Sequence, residues 1–557
     1  LASGLSWADS PKFSPDLTET MTNTRGAAAR HKIIVQFRPG TGDQKIRKLL
    51  SSHGAQHDGS FGSGDSVSAQ ITTDRLNELA NDDDVQYVSI DREISPTLDS
   101  AARASHAGIA AQYGVTGKNI GVAILDSGID EHSDLERVVY KESFLRGGNT
   151  TDEFGHGTHI AGIIAGDGDA SSGDGSFFTL KGVAPGVSLI NLRVLDANGQ
   201  GSDSAVIAAI DRAIQLKSRF NIRVINLSLG RPVFESYTLD PLCQAVERAW
   251  KAGIVVVVAA GNQGRNNAAG TNGYGTIGSP ANDPYVITVG AMKTFDTESR
   301  ADDRIATYSS KGPTLFDHVV KPDLVAAGNW IASTIHAPSS TTLGKQSPGN
   351  VVPLSQYTSG NSGQSDRYMW LSGTSMAAPM VSAAAALLLE RTPTLNPDQV
   401  KARLMKSASK SFPSFSSFTD PATGVTYVSQ YDVFTVGAGY LDIGAALANN
   451  DLLTTGPARS PFAVRNPNGH IYLSMASNAL WGDNALWGDN ALWGDNALWG
   501  DNALWGDNAL WGDNALWGDR TLKGYNALWG DNALWGDNAL WGDNALWGDS
   551  FLLKGER

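Results

Sequence analysis

The 557-residue sequence predicts an α/β protein: a parallel sheet with helices on both faces, preceded by a small α+β module and followed by a β-rich repeat tail. Three observations lead to this class. Near-continuous apolar runs of strand length alternate with helical patterns between about residues 119 and 450. Shorter strand and helix patterns alternate across residues 31–98, and residues 478–549 repeat a six-residue unit.

The bulk composition excludes several kinds of partner. A net charge of −14 argues against nucleic acid or an anionic membrane as the main partner. No run approaches the roughly 20 apolar residues that a membrane-spanning helix needs. Cys243 is the only cysteine, so no internal disulfide can form. The chain begins at Leu1 rather than at a methionine, which is consistent with removal of a leader, and we expect a secreted or cell-surface bacterial protein.

The α+β module is predicted over residues 31–98, after a polar N-terminal extension at 1–30. Its strand patterns read "KIIVQF", "SVSAQI" and "VQYVSI", and its helical patterns read "DQKIRKLLSSH" and "TTDRLNELAND". The second helix is expected to begin at Thr72 or Thr73, either of which can serve as N-cap. This order of elements suits a split βαβ sheet.

The main domain is predicted over residues 99–456 and a linker over 457–477. An amphipathic helix opened by Ser202 or Asp203 lies between its second and third strands. Because the apolar runs show no polar face, we expect their sheet to be parallel and covered on both sides. The five predicted strands are "NIGVAIL", "VSLINLRVL", "IRVINLSL", "GIVVVVAA" and "YVITVGA".

Reactive side chains stand where strands end and helices begin, which is where open parallel sheets collect functional groups. Asp126 follows a strand, His156 and His159 open one helix, and Ser375 opens another. Taken singly, the aspartate suits a turn, the serine suits an N-cap, and the histidine pair lacks the context of a metal motif. Taken together they supply an acid, a base and a nucleophile.

The segments around these residues resemble the subtilisin-like serine peptidases. "ILDSGID", "GHGTHIAG" and "GTSMAAP" are similar to the aspartate, histidine and serine motifs of that family, and "YSSKGP" and "KPDLVAAG" resemble further landmarks. The resemblance covers roughly residues 110–447. It implies a subtilisin-like fold and an extracellular serine endopeptidase that works through an acyl-enzyme, with no cofactor for catalysis.

The resemblance also implies residue roles. Ser375 would be the nucleophile, His156 rather than His159 the general base, and Asp126 the residue that orients the imidazole. Asn262, in "AAGNQG", would donate its side-chain amide to the oxyanion together with the N–H of Ser375.

Substrate contacts follow from the same resemblance. The backbone of Ser228, Leu229 and Gly230 would pair with a polypeptide substrate as an added strand. Gly261 and Gly278 would line the pocket for the side chain before the scissile bond. Glycines leave room there, which favours large apolar side chains.

Calcium is left open by the sequence. Family members commonly carry calcium, and Asp134, in "HSDL", matches a usual ligand position. The loop "GDGDASSGDGS" at 166–176 departs from the common pattern, and its three aspartates suit either a hard cation or a solvated loop.

Residues 31–98 resemble the inhibitory propeptide of the same family, so the chain's own propeptide is an expected partner. "YVSIDREISP" is similar to the segment that reaches the active site before self-cleavage, near Thr97–Asp99. Three alternatives stay open: the chain is a precursor, its propeptide is cut but stays bound, or processing does not occur.

The tail consists of twelve six-residue units, eleven of which read "NALWGD". The odd unit, "RTLKGY", keeps Leu522 and Gly524 in register, which indicates that the period is structural. In an extended chain Trp and Ala would share one face and Leu and Asn the other. The pattern predicts either a meander of short strands with Gly-Asp turns or a solenoid, before the C-terminal end at 550–557.

Rows of Trp and Leu of this length need a covering partner. The simplest complement is another copy of the tail, which predicts a homo-oligomer or filament. The alternatives are a glycan- or cell-wall-binding tail, a structural filament protein whose peptidase core is silent, and a disordered linker. The eleven aspartates of the tail, against one Lys and one Arg, contribute −9 of the charge and would repel one another if stacked in register.

Overall fold

The structure is a computed structural model that describes residues 12–14, 17–18, 21, 29–61, 65–91, 93–96, 113–173, 175–268, 270–295, 300, 302–359, 363–421, 423–450, 457–465 and 471–474. The predicted repeats at 478–549, the predicted cleavage segment near Thr97–Asp99 and most of the N-terminal extension lie outside the described residues.

The N-terminal module is a four-stranded antiparallel sheet in which the second, third, first and fourth strands lie side by side. This is the split βαβ arrangement that the sequence predicts. Thr72 stands at the N-cap of the second helix, although its side chain makes no capping hydrogen bond. The strands are Arg30–Phe37, Gln56–Phe61, Ser66–Thr72 and Val85–Ile90, and the helices are Asp43–Ser52 and Thr73–Ala80.

The module has a hydrophobic core of its own. Alternate residues of its strands and one face of each helix supply that core, as expected for a sheet with one covered face. The core includes Ile33, Val35, Ile46, Leu50, Val67, Leu76, Leu79 and Val88.

The main domain contains an eight-stranded sheet that is mixed but mostly parallel. All five predicted strands belong to it, and Arg304–Ile305 adds an antiparallel edge that the sequence did not predict. Every residue of Gly121–Asp126 is buried; because successive side chains point to opposite faces, both faces of the sheet are covered. The spatial order is Arg304–Ile305, Ile287–Lys293, Val255–Ala259, Ile222–Leu227, Gly121–Asp126, Ser188–Arg193 and Val138–Ser143, with Leu324–Ala327 also paired to Ile287–Lys293.

Two pairs of helices pack on this sheet. The histidine helix, His156–Ala165, packs against the serine helix, Thr374–Arg391, and Asp203–Phe220 packs against Pro241–Lys251. Ser202 is the N-cap of the helix Asp203–Phe220, because its side-chain hydroxyl accepts a hydrogen bond from the N–H of Ala205. No helix among the described residues is long and apolar enough to cross a membrane. Further helices are Thr342–Gln346, Pro397–Ser407, Val433–Val436 and Ile443–Ala448.

Several small sheets were not predicted. One three-stranded sheet joins the two modules, because Glu93–Pro96 lies between Leu229–Gly230 and Gly201–Ser202. A two-stranded element, named here the lateral hairpin, consists of Phe415–Thr419 and Thr426–Gln430. The others are the sheet of Ile331–Thr334, Gln364–Leu371 and Val351–Pro353 and the C-terminal hairpin of Phe462–Arg465 and Ile471–Ser474.

The first part of the predicted linker at 457–477 is packed onto the main domain. Ser460 is buried, its hydroxyl accepts a hydrogen bond from Lys401 Nζ at 2.9 Å, and its N–H donates to Pro284 O at 2.8 Å. Lys401 is itself fully buried beside Asp323, 3.1 Å away. The core therefore extends past the boundary expected at residue 456.

Candidate active site

Asp126 and His156 meet at the carboxyl edge of the main sheet. The parallel strand Gly121–Asp126 ends in the aspartate, and the histidine helix begins at His156. His156 Nδ1 lies 2.7 Å from Asp126 Oδ1, with both side chains fully buried. Ser127 donates to the same oxygen from its N–H at 2.8 Å, and the Ser127 hydroxyl oxygen lies 3.2 Å from it. The carboxylate therefore fixes the orientation of the imidazole ring and holds the proton at Nδ1.

The other ring nitrogen of His156, Nε2, is the one that the predicted role as general base would use. Nε2 is buried and has no hydrogen-bond partner among the described residues. With Nδ1–H bound to the carboxylate, the lone pair of Nε2 is left to accept a proton.

The contacts of His159 indicate a structural role. Its Nε2 lies 3.1 Å from both Ile331 O and Met369 O, so it donates to the backbone of the neighbouring sheet. Burial, together with a smaller electrostatic effect of the nearby His156, lowers the pKa of His159 to about 3. A ring that stays neutral and donates to main-chain carbonyls is suited to packing rather than to proton transfer.

Ser375 is the second residue of the serine helix and is fully buried. Its hydroxyl donates to Ser228 O at 3.2 Å, and Ser228 Oγ donates back to Ser375 O at 2.8 Å. This reciprocal pair fixes the start of the serine helix beside the segment 228–230. The N–H groups in the first turn of a helix favour negative charge, so an oxyanion formed at Ser375 would be stabilised there.

Asn262 is oriented by Thr374. Its Oδ1 accepts from Thr374 N–H at 3.0 Å and from Thr374 Oγ1 at 3.1 Å. Its Nδ2 is buried with no partner in the described part of the chain. The two donors to Oδ1 assign the amide orientation and leave Nδ2 as an available donor next to Ser375.

A segment of the N-terminal module pairs with the predicted substrate strand. Leu229 and Gly230 stand opposite Pro96 and Ser95 in an antiparallel register. On its other side the segment Glu93–Pro96 pairs with Gly201–Ser202. An extended chain thus lies between two strands of the main domain, in the position where an added substrate strand is expected.

The Subtilase family model matches residues 117–438, more than half of the chain. The chain belongs to the subtilase family. It is 34% identical over 414 residues to Serine protease AprX of Bacillus subtilis (strain 168), covering 72% of this chain and 87% of AprX. It is 38% identical over 304 residues to Subtilisin DY of Bacillus licheniformis, covering 54% of this chain and 88% of that protein.

One solved structure is similar to this subtilase in fold. Fervidolysin from Fervidobacterium pennivorans, described as a keratinolytic enzyme related to subtilisin, matches with a TM-score of 0.56 at 22% identity, over 85% of this chain and 70% of its own. The subtilisin-like α/β fold and the enzyme class, a subtilisin-like serine peptidase, are therefore confirmed.

Close packing surrounds the two glycines of the subtilase that are predicted to line the pocket. Gly261 has φ +108°, in the left-handed region, and a Cβ there would lie 2.8 Å from Ser310 Oγ. A Cβ on Gly278 would lie 2.9 Å from Arg231 O, where Arg231 and Ser279 exchange two backbone hydrogen bonds of 3.0 and 2.8 Å. Any side chain at either position would displace a wall of the predicted pocket.

Asp152 is a site residue that the sequence did not single out. It is fully buried, and its Oδ1 accepts from Ser127 Oγ and Gly155 N–H, both at 2.7 Å. Its Oδ2 accepts from Thr158 N–H at 2.7 Å. Asp152 thereby caps the start of the histidine helix and connects it to Ser127, the residue that follows Asp126. An aspartate four residues before His156 is compatible with this capping role, but the sequence gives no further sign of it.

Both carboxylate oxygens of Asp134 are hydrogen-bonded within this subtilase. Its Oδ1 accepts from Ala170 N–H at 2.7 Å and its Oδ2 from Tyr368 Oη at 2.6 Å. Each oxygen keeps a second lone pair, so calcium ligation by Asp134 stays a prediction. Burial raises the pKa of Asp134. No group of three or more His, Cys, Asp or Glu side chains that could hold a metal occurs among the described residues. Calcium in the loop 166–176 stays a prediction.

Proposed function

We propose that this subtilase is an extracellular endopeptidase that cleaves polypeptides through an acyl-enzyme on Ser375. The observation that carries the proposal is the buried contact of 2.7 Å between His156 Nδ1 and Asp126 Oδ1, with Nε2 left without a partner among the described residues. A neutral imidazole held in this way is the base that a serine hydroxyl needs.

The proposed reaction has two halves. Ser375 Oγ attacks the peptide carbonyl carbon while its proton moves to His156 Nε2, and Asp126 stabilises the imidazolium. The oxyanion accepts hydrogen bonds from Asn262 Nδ2 and from the N–H of Ser375. The C–N bond then breaks and His156 returns the proton to the leaving amine. Water, activated by the same base, attacks the acyl-enzyme and releases the acid.

Extended polypeptides are the proposed substrates. The backbone pairing of Leu229 and Gly230 with an extended chain supports this class, because an added strand is bound through its main chain whatever its sequence. The side chain before the scissile bond would enter the pocket beside Gly261 and Gly278, for which we propose a large apolar group.

We propose that residues 31–98 act as an inhibitory propeptide that covers the cleft. Besides the strand Glu93–Pro96, three polar contacts support this position. Tyr87 Oη donates to Glu235 Oε2 at 2.8 Å, Gln36 Nε2 donates to Leu239 O at 2.8 Å, and Ser204 N–H donates to Asp91 at 2.7 Å.

Labelling with a fluorophosphonate tests both proposals. Protein freed of the module by mild proteolysis is expected to be labelled at Ser375, because Ser375 Oγ is activated by His156. Adding the fragment 31–98 in excess is expected to suppress that labelling, since its last strand would again occupy the pairing position. Mass spectrometry of the labelled peptide identifies the residue.

The two outcomes separate the proposals. If Ser375 stays unlabelled after the module has been removed, the peptidase core is silent and the structural-protein alternative is favoured. If Ser375 is labelled equally with and without excess fragment, the protein is an active peptidase and the propeptide proposal is wrong. A Ser375→Ala variant controls for labelling at other residues.

The repeat tail, which lies outside the described residues, is proposed to join copies of the protein into a filament or array. Its support is the sequence alone: eleven identical units present the same apolar face, which a second copy can cover. Truncation after Ser477 is expected to abolish assembly in electron microscopy and light scattering while peptidase activity persists. A full-length protein that stays monomeric at high concentration and binds polysaccharide would support the glycan-binding alternative instead.

A further inference from the structure

The proposed mechanism makes no use of the lateral hairpin, although this element contacts the loop that carries Asn262. One face of the hairpin is exposed, with Phe415 at 57% and Val428 at 60%. On the other face the cross-strand pair Phe418 and Tyr427 flanks the guanidinium of Arg265, which lies 5.5 and 4.8 Å from the two ring centres. Cations over aromatic faces are held more firmly as they lose water.

Arg265 connects the hairpin to the first wall of the predicted pocket, residues 261–265. Its Nε donates to Thr307 Oγ1 at 2.8 Å, and its guanidinium lies 3.4 Å from Asp420, in the turn of the hairpin, with both side chains largely buried. Next to it, Gly264 N–H donates to Tyr308 O at 2.8 Å. Arg265 is only three positions after Asn262, so a shift of its anchor would move the pocket wall, while Thr374 still holds the Asn262 amide.

The second wall, residues 274–278, is held from the same side. Lys311 Nζ lies 3.4 Å from Ser429 Oγ of the hairpin and 5.6 Å from the ring centre of Tyr274. Tyr274 Oη donates to Asp432, two residues past the end of the hairpin. Thr276 N–H donates to Lys311 O at 3.0 Å, which carries the contact along the wall towards Gly278.

We propose that the lateral hairpin is a specificity clamp: it holds both walls of the pocket at a fixed separation and so determines the preference for large apolar side chains before the scissile bond. The inference rests on the proposed function. Its physical basis is that a binding pocket keeps its shape only when the groups behind its walls are themselves fixed. Arg265 is a positioning residue in this arrangement, because it acts through the wall and not on the substrate.

The test uses the full chain, activated by removal of the module, with Arg265→Met. The variant keeps the bulk of the side chain but loses the contacts to Asp420, Thr307 and both rings. We expect the ratio of kcat/KM for peptides with Phe before the scissile bond to kcat/KM for peptides with Ala to fall about tenfold, mainly through KM for the Phe peptides, since shape mismatch in apolar pockets costs discrimination of this order. Labelling of Ser375 by a small fluorophosphonate is expected to persist.

Arg300→Met is the matched control. Arg300 also combines an ion pair, 2.7 Å to Asp442, with a contact to an aromatic ring, 5.2 Å to Tyr440, but it does not contact the hairpin or either wall in the described structure. It should lower the melting temperature without changing the Phe/Ala ratio. An unchanged ratio in folded Arg265→Met, or an equal change in both variants, would overturn the clamp.

A second variant keeps the test decisive if Arg265→Met fails to fold. Asp420→Asn preserves shape and removes only the charge facing Arg265, and it should shift the Phe/Ala ratio in the same direction; an unchanged ratio would also overturn the clamp. Loss of labelling in the parent protein would instead refute the proposed peptidase, whatever the ratios show.

Discussion

Replacing His156 with alanine is expected to lower kcat about 10⁶-fold with little change in KM. This magnitude is the one measured for the corresponding residue of subtilisin, a relative, and is not calculated for this chain. The reason is that Ser375 Oγ would have to lose its proton to water, while the groups that bind the substrate backbone stay in place. Hydrolysis of a chromogenic peptide by protein freed of its module, normalised to the folded fraction, measures the loss.

His159→Gln is the control for this prediction. Glutamine can still donate to Ile331 O or Met369 O, so the variant should fold with a lowered melting temperature and retain activity per folded molecule within a few fold. If kcat of the His156→Ala variant is within tenfold of the parent, or if the His159 variant loses more activity, His156 is not the base.

Replacing Asn262 with alanine is expected to lower kcat by about 10²–10³, the range measured for the oxyanion asparagine of subtilisin itself. The hydrogen bond from Nδ2 forms only when the carbonyl oxygen becomes an oxyanion, so KM should change little. The kcat and KM of a peptide p-nitroanilide, measured with an active-site titration, separate the two effects.

Asn266→Ala is the matched variant for Asn262→Ala. Asn266 lies in the same loop, and its Oδ1 accepts from Ala268 N–H at 3.0 Å on the exposed surface. It should leave kcat unchanged. If the Asn262 variant instead raises KM at constant kcat, the residue binds the ground state and the oxyanion role is wrong.

The central sheet could be predicted because its strands are buried on both faces. Val255–Ala259 and Ile287–Lys293 are buried along their whole length, and such strands are apolar at nearly every position. Gln56–Phe61 gave no such signal, because Phe61 is the only fully buried residue in it. The strands of the lateral hairpin alternate exposed positions with half-buried or buried ones, and Phe418 and Tyr427 face Arg265, which is distant in sequence.

The site residues likewise divide into those that the sequence could predict and those that it could not. Motif resemblance predicted that Asp126 and His156 act together, and in the structure they lie 2.7 Å apart, where a strand end and a helix start meet at the sheet edge. Spacing alone could not distinguish His156 from His159; their partners do, because His156 contacts a carboxylate and His159 contacts two main-chain carbonyls. Asp152 was missed because its role depends on Ser127, which precedes it by 25 positions and reaches it only in the folded chain.

The strand Glu93–Pro96 has a consequence for competition between ligands. It begins three residues after the module's last sheet strand, Val85–Ile90, so it is covalently attached to a folded body that is docked beside the cleft. A segment tethered in this way has an effective concentration of about millimolar or above. A free peptide at micromolar concentration therefore competes for the backbone of Leu229 and Gly230 at a disadvantage of roughly a thousandfold. If residues 31–98 are the proposed propeptide, we expect the onset of hydrolysis to be controlled by breaking this covalent attachment rather than by the affinity of the substrate.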